Sequence, residues 1–221
     1  MNKQTELNNI YKNRFDNKLS QRKKLWEILC KYYFQKYIKA GDTVVDLPAG
    51  YCEFINSIKC KKKIAIDLNP EVKNRANKDV EVILSNSNKL PKKLESVADI
   101  VFVSNFFEHL QDETELLNTL VEIKKVLKKE GKLLILQPNI RLVGGSYWDY
   151  LDHSLPLTEK SIIEALELTG FKLEYLKTRF LPFSTDGKLP ISPLLIRLYL
   201  MFPPIQFILG KQSFFIASIN K

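Results

Sequence analysis

Two aspartates, each at the end of a strand-like apolar run, are the residues whose spacing most clearly suggests chemistry. Asp46 closes the run 43–46 just before a tight turn at Gly50, and Asp67 closes the next run about twenty residues later. A strand, a glycine turn and a helix start place backbone N–H groups where a nucleotide-like ligand can be held. The second carboxylate then lies within reach of the ribose hydroxyls of that ligand. The alternative is that both aspartates only cap loops.

The turn after Asp46 contains one unusual residue for such a site. Pro48 stands where glycine would usually follow the Asp-Leu pair. Proline lacks an N–H group and fixes φ near about −65°, so a ligand contact or the turn geometry must change. We expect either weaker binding or contacts from Ala49, Gly50 and Tyr51 instead. The spacing alone fits either a dinucleotide or S-adenosylmethionine.

The two histidines of the chain both follow predicted strand ends, on the side where parallel sheets bind ligands. His109 lies in the segment FFEHL, where a helix is expected to begin, and His153 lies in a loop after the fifth predicted strand. An imidazole titrates near neutral pH and can take a proton from a hydroxyl during group transfer. Asp152, adjacent in sequence, can orient His153. The alternative for both histidines is a structural hydrogen bond within a loop.

Strand-like and helix-like segments alternate along most of the chain. Their hydrophobic patterns predict strands at 43–46, 62–67, 79–84, 98–104, 132–137, 171–178 and 213–219. They predict helices before residue 40, over 116–127 with Gly131 as a stop, and over 161–169 between Thr158 as N-cap and Gly170 as C-cap. This alternation predicts an α/β fold, a doubly wound and mostly parallel sheet with helices on both faces.

Composition predicts one globular domain, because 221 residues are enough for one substantial core and too few for two. The net charge of +9 lies in short lysine runs typical of solvated faces, so we do not expect a nucleic-acid partner.

Cys30, Cys52 and Cys60 form no CxxC pair, which indicates a reducing compartment. The polar first forty residues and the lack of an apolar run of ~18 residues predict a cytoplasmic protein without signal peptide or spanning helix.

The segment 179–212 interrupts the alternation between the last two predicted strands. Its stretch 194–210 is strongly apolar, contains Arg197, and is broken by Pro203 and Pro204. It is too short and too kinked to span a bilayer. We expect a helical insert that packs on the domain. The alternative is a surface that touches a membrane or a lipid-linked substrate.

Four segments together resemble the ordered motifs of class I S-adenosylmethionine-dependent methyltransferases. They read VVDLPAGYCEFI, IAIDLNP, ADIVFVSNFFEHL and VLKKEGKLLILQPN, within a match over residues 42–178. A nicotinamide dehydrogenase would more often have three glycines in its first loop and would not have EHL after the fourth strand. The resemblance implies a Rossmann-like sheet of seven strands whose last strand, 213–219, is antiparallel. It also implies an N-terminal helical lid, with residues 1–40 as a cap and 41–221 as the methyltransferase domain, including the insert 179–212.

The same resemblance implies S-adenosylmethionine as the cofactor and assigns residues to it. The expected cofactor residues are Asp46, Pro48, Ala49, Gly50 and Tyr51 in the first loop, Asp67 and Leu68 at the ribose, Asn86 near the adenine, Ser104 and Asn105 under the methionine, and Arg14 from the lid. The acceptor substrate is expected against Tyr147, Trp148 and Asp149, with His153, Asp152 and His109 as the catalytic candidates.

No metal site is predicted. Glu108 and His109 resemble the pair that carries a divalent ion in some ubiquinone-biosynthesis O-methyltransferases. The earlier acid of that motif is Asn105 here. Two ligands are too few to hold an ion.

These features predict a methyltransferase that acts on oxygen in a small-molecule, glycan or lipid-linked saccharide acceptor. The C-terminal part loosely resembles methyltransferase-like proteins found with bacterial polysaccharide genes, which implies a role in polysaccharide biosynthesis. Two alternatives remain open. An RNA methyltransferase would use the positive charge, although SNFF stands where an NPPY-type motif would follow the fourth strand. A cofactor-binding scaffold without catalysis would account for Pro48.

Overall fold

The seven predicted strands form one sheet in the computed structural model, which describes residues 19–183 and 192–220. The strands are β1 Thr43–Asp46, β2 Lys62–Asp67, β3 Val80–Leu84, β4 Ala98–Ser104, β5 Leu127–Pro138, β6 Phe171–Lys177 and β7 Gln212–Ile219. Their order across the sheet is β3-β2-β1-β4-β5-β7-β6.

Strand direction confirms the predicted Rossmann-like fold. β1 to β5 pair in parallel with one another, whereas β7 runs antiparallel to both β5 and β6. The antiparallel last strand is the one that was predicted. Because parallel strands share their direction, the carboxyl ends of β1, β2 and β4 lie along one edge of the sheet.

Helices cover both faces of the sheet. Within the described residues the α-helices are α1 Leu19–Tyr32, α2 Glu53–Ser57, α3 Val72–Arg75, α4 Glu113–Val126, α5 Ile140–Val143, α6 Glu159–Leu168, α7 Pro193–Met201 and α8 Pro203–Leu209. Short 3-10 turns lie at Phe34–Tyr37, Lys92–Leu94, Phe107–His109 and Gly144–Asp149.

Alternate residues of β4 divide the core into two halves. Val101 and Val103 belong to a cluster with the apolar faces of α4 and α6, whereas Ile100 and Phe102 pack with Phe34 and the residues around α1 and α2. Successive side chains of a strand point to opposite faces, so a strand buried on both faces reads as a continuous apolar run. One half of the core therefore packs on each face of the sheet, and together they fix the position of its carboxyl edge.

Side-chain capping marks the start of two helices, and at α6 it matches the predicted end. Thr158 caps α6 through a capping box with Ser161, and Gly170 follows this helix with φ +78°. A side chain costs most in this left-handed region, which explains the glycine. Asp112 caps α4 by accepting a hydrogen bond from the Glu115 N–H.

Two predicted boundaries are wrong. His109 does not begin a helix: it ends the 3-10 turn Phe107–His109, and α4 starts only after Asp112. Gly131 is not a helix stop but lies within β5, which already begins at Leu127 because this residue pairs with Ala98. A Cβ at Gly131 would lie 2.8 Å from the Ala98 carbonyl oxygen, so the strand contact itself requires glycine.

The segment between β6 and β7 contains the helical insert that was predicted, as α7 and α8. Among the described residues, no helix combines the length and apolar character needed to cross a bilayer. At the other end of the chain, α1 falls within the predicted cap 1–40, whereas Arg14 lies outside the described residues.

Candidate functional site

Asp46 fastens the first loop to the helix that follows it. Its side chain is buried at the end of β1 and accepts a hydrogen bond from the Ile55 N–H within α2. Burial raises the pKa of Asp46 well above its usual range, and the Ile55 hydrogen bond opposes that rise. Asp46 therefore links the end of β1 to α2 and stabilises the loop between them.

The sequence predicted free backbone N–H groups in the first loop. In the structure, the N–H groups of Ala49 and Gly50 are instead bonded within the protein. The Ala49 N–H donates to the Ile66 carbonyl at 2.9 Å, and the Gly50 N–H donates to Asp67 Oδ2 at 2.7 Å. Pro48, which follows a cis peptide bond after Leu47, has no N–H to offer. These two N–H groups are therefore already bonded within the protein, and the cofactor contacts expected of Ala49 and Gly50 stay a prediction.

Asp67 is the polar centre of this loop. Its Oδ2 accepts from the Gly50 N–H and its Oδ1 accepts from the Asn69 N–H at 2.8 Å. Burial raises the pKa of Asp67, while these backbone hydrogen bonds and one from Leu68 oppose the rise. Each carboxylate oxygen can accept a second hydrogen bond, so ribose hydroxyls remain suitable partners.

Open space at Gly50 and an exposed apolar side chain at Leu68 lie next to Asp67. Gly50 has φ +51°, and a Cβ placed on it would meet no atom within 4 Å. Leu68 exposes 48% of its surface next to the carboxylate, which offers an apolar face for a base. Open room, an acid with acceptor capacity and an exposed apolar side chain at one strand end fit the adenosine part of S-adenosylmethionine.

Polar residues follow the ends of β3 and β4 along the same edge. Asn86 is exposed after β3, and Ser104 and Asn105 are half-buried after β4. Asn105 has φ +48°, a conformation that asparagine tolerates well, and its amide donates to Ser104 Oγ at 3.0 Å. The edge thus carries the predicted polar groups at the predicted strand ends.

Two arginines that sequence reasoning missed lie against Tyr51. The Arg75 guanidinium is 4.6 Å from the ring centre of Tyr51, and the Arg22 guanidinium is 6.0 Å from it. Arg22 also forms a salt bridge of 2.8 Å with Glu53 at the start of α2. Cation–π contacts of this kind hold the ring at the mouth of the loop.

The two histidines lie together in a polar cluster after β4. The ring centres of His109 and His153 are 5.0 Å apart. His109 Nδ1 lies 3.1 Å from both the carbonyl oxygen and the carboxylate Oδ2 of Asp152. Asp152 therefore forms a salt bridge with His109, a pairing that sequence adjacency did not suggest.

Glu108 brings a second carboxylate to the cluster. It is fully buried, its Oε2 accepts from Gln137 Nε2 at 3.0 Å, and its Oε1 lies 3.9 Å from His109 Nε2. Burial raises the pKa of Glu108. Burial lowers the pKa of His109, but the charges of Glu108 and Asp152 outweigh it, so the pKa of His109 is raised.

Aromatic rings enclose His153, which is buried. Tyr147 and Tyr150 lie 4.8 and 5.0 Å away between ring centres, and Phe183 lies at 6.2 Å. Tyr147 is fully buried and donates its hydroxyl to the Leu155 carbonyl, so it supports the cluster instead of facing an acceptor. Trp148 and Asp149, the other two predicted acceptor residues, are exposed.

The cluster also contains three residues of metal-ligand type. One ligand atom each from Glu108, His109 and His153 lies within 4.8 Å of the others. Only Glu108 and His109 were predicted as such residues, because His153 follows 44 positions after His109 in the chain. The expectation of a metal-free site stays a prediction.

Comparisons with known proteins agree with this geometry. Residues 45–135 match the model of a family described as a methyltransferase domain. No curated protein sequence matches the chain.

Solved structures share the fold at low sequence identity. An S-adenosylmethionine-dependent methyltransferase of Thermotoga maritima, described as a possible histamine N-methyltransferase, is 16% identical with a TM-score of 0.65 over 96% of this chain and 99% of its own. An S-adenosylmethionine-dependent methyltransferase of Archaeoglobus fulgidus is 21% identical with a TM-score of 0.61, over 89% of this chain and 94% of its own.

The family match covers the loop after β1, the acid after β2 and the polar segment after β4. These are the elements that meet at the carboxyl edge of the sheet, where open space lies beside Asp67. Residues 45–135 therefore match a methyltransferase domain, and the described fold is one that solved S-adenosylmethionine-dependent methyltransferases share.

Proposed function

We propose that the protein transfers a methyl group from S-adenosylmethionine to an oxygen atom of a small-molecule or saccharide acceptor. The observation that carries this proposal is the pairing of His109 with Asp152, five residues after the end of β4. Methyl transfer to a hydroxyl requires the loss of a proton. An imidazole oriented by a carboxylate is well suited to accept it.

Residues at the ends of β2 and β4 would hold the cofactor. Asp67 would accept hydrogen bonds from the ribose hydroxyls, and Leu68 would cover one face of the adenine. Ser104 and Asn105 would offer polar groups to the methionine end. S-adenosylmethionine supplies a methyl carbon that is already electrophilic, so the protein has to align the acceptor and remove a proton.

His109 would remove that proton. With Nδ1–H donated to Asp152, the lone pair of the neutral ring lies on Nε2. As the methyl group would pass from sulfur to the acceptor oxygen and leave S-adenosylhomocysteine, the acceptor O–H bond would break and its proton would move to Nε2. The negative charges of Asp152 and Glu108 then stabilise the imidazolium. His153, enclosed by aromatic rings, would keep the His109 ring in place.

The acceptor would lie against the exposed part of the turn Gly144–Asp149. Trp148 offers a large ring that is half exposed, and Asp149 offers a carboxylate that can accept from hydroxyl groups. An exposed aromatic face beside an acid suits a ligand with both C–H surfaces and hydroxyls, such as a sugar. A saccharide acceptor is consistent with the proposed role in polysaccharide biosynthesis.

The cellular setting is part of the proposal. Cys30, Cys52 and Cys60 are all free thiols, which supports a reducing compartment such as the cytoplasm. We also keep residues 1–40 as a helical cap on the methyltransferase domain 41–221.

Calorimetric titration with S-adenosylmethionine and an assay for S-adenosylhomocysteine release test the proposal together. We expect cofactor binding, and product release with glycans or phenols but not with RNA. Binding without release on any acceptor would favour the non-catalytic scaffold. Release with RNA alone would favour the RNA methyltransferase, and no binding at millimolar cofactor would reject both enzymes.

A further inference from the structure

The insert between β6 and β7 exposes an unusual amount of apolar surface. Among the described residues, half of the large hydrophobic side chains that are exposed lie in α7, α8 and the residue between them. Phe207 and Ile208 are 71% and 73% exposed, and Leu194 and Met201 are 66% and 67% exposed. Apolar exposure concentrated in one segment to this degree is typical of a surface that meets another phase or partner.

Polar side chains on the inner side of the insert bond α7 to the domain and α8 to α7. The Tyr199 hydroxyl donates to the Phe180 carbonyl. The buried Gln206 amide donates to the Tyr199 carbonyl at 2.7 Å and to the Leu200 carbonyl at 3.0 Å. Both helices are therefore anchored by specific hydrogen bonds and present the outer face in a fixed orientation.

Cations lie around this apolar face. The segment 192–212 contains Arg197 and Lys211 but no aspartate or glutamate. The Arg179 guanidinium lies 5.1 Å from the ring centre of Phe207, and the Arg197 guanidinium lies 5.4 Å from the ring of Tyr32 on α1. Lys31 lies 5.2 Å from that same ring. The rim of the patch is thus basic and aromatic.

We propose that α7 and α8 form a docking surface for an anionic phospholipid bilayer. Two short helices with an exposed apolar face can lie in the boundary between headgroups and acyl chains without crossing the bilayer. Arginine side chains at the rim can reach lipid phosphates while their apolar stems stay in contact with the patch. The lack of acids favours this occupant over a second copy of the chain, whose same surface would bring cation against cation.

Sedimentation of the full chain with lipid vesicles tests this proposal. We expect strong binding to vesicles containing phosphatidylglycerol, weak binding to phosphatidylcholine alone, and release by high salt that is partial because the apolar contact persists. Substituting Phe207→Ser together with Ile208→Ser is expected to weaken binding about tenfold or more. Arg197→Gln is expected to weaken binding to the anionic vesicles about fivefold.

Leu168→Ser is the matched control, because Leu168 is 70% exposed but lies at the end of α6, outside the insert. It should bind vesicles as the unsubstituted protein does. Cofactor affinity, measured by calorimetry, should stay unchanged in all these variants and shows that each is folded.

Three outcomes would overturn the proposal. The first is equal sedimentation with neutral and anionic vesicles, or none with either. The second is equal loss of binding in the Leu168→Ser control. The third is a dimer in light scattering that the Phe207→Ser and Ile208→Ser substitutions dissociate, since this patch would then be covered by a second copy.

Discussion

His109 and Asp152 form a salt bridge across 43 residues of sequence, with Nδ1 and Oδ2 3.1 Å apart. The contact connects the 3-10 turn after β4 to the loop after β5. Since it fixes which ring nitrogen carries the proton, it also determines which nitrogen is left to act as a base. In the proposed reaction, this contact leaves Nε2 of His109 as the atom that accepts the proton.

Removing the Asp152 charge should move the pH dependence of methyl transfer. His109 must be neutral to accept a proton, so activity rises as pH rises through its pKa. The carboxylate raises that pKa, and Asp152→Asn should lower it. We therefore expect the rising limb of the pH–rate profile to shift to lower pH, with turnover reduced about tenfold or more. Asp79→Asn removes a carboxylate paired with Lys63 far from the cluster and should leave the profile unchanged.

Replacing each histidine should separate the base from its neighbour. His109→Ala should lower turnover about a hundredfold or more while cofactor affinity, measured by calorimetry, stays the same. His153→Ala should act through packing, because the ring is buried among Tyr147, Tyr150 and Phe183. A larger loss of turnover in His153→Ala than in His109→Ala would assign the base role to His153 instead.

Asp67 should control cofactor affinity. Asp67→Asn keeps the side-chain volume but loses a charged acceptor, so we expect S-adenosylmethionine to bind about ten- to a hundredfold more weakly. Isothermal calorimetry measures this change directly. Asp42→Asn is the control, since Asp42 accepts from the Lys39 N–H at the start of β1, away from the ligand edge. Equal affinities in the Asp67→Asn and unsubstituted proteins would contradict the assignment.

A chelator should leave methyl transfer unchanged. Glu108 Oε1 and His109 Nε2 are 3.9 Å apart, whereas metal–ligand bonds of about 2.1 Å place neighbouring ligand atoms roughly 3 to 3.5 Å apart. One Glu108 oxygen is also held by Gln137. Activity that disappears after dialysis against EDTA and returns with a divalent ion would show that Glu108, His109 and His153 are ligands.

Gly131→Ala should destabilise the protein. The new methyl group would lie against the Ala98 carbonyl, where β5 approaches the start of β4, and strand backbone cannot easily move. We expect a loss of about 1 to 3 kcal/mol in the free energy of unfolding. Chemical denaturation measures it. Gly41→Ala is the control, because a methyl group there meets no atom within 4 Å.

The fold could be predicted from sequence because its signals are local. Apolar runs such as the one in β4 mark buried strands, and Thr158 with Ser161 marks a helix start within four residues. The arrangement of the site could not be predicted to the same degree. The contact of Asp152 with His109 depends on how two loops meet, and no spacing along the chain encodes that.

The hydrogen bonds of the first loop could not be predicted from the sequence either. Its glycine and its acids were found by their spacing, but spacing does not tell which backbone N–H groups are already bonded. The Gly50 N–H is satisfied by Asp67, and the Ala49 N–H by β2. These contacts depend on the parallel pairing of β1 with β2.

The hydrogen bond between Gly50 and Asp67 has a kinetic and entropic consequence. A loop that is bonded to the neighbouring strand before any ligand arrives has little conformational freedom left to lose. Cofactor association should then resemble docking onto a rigid surface, with backbone exchange protection in residues 47–50 that is nearly the same before and after binding. The binding loop would then be ordered when the protein folds, and not when the cofactor binds. Affinity would be governed mainly by the rate at which the cofactor dissociates.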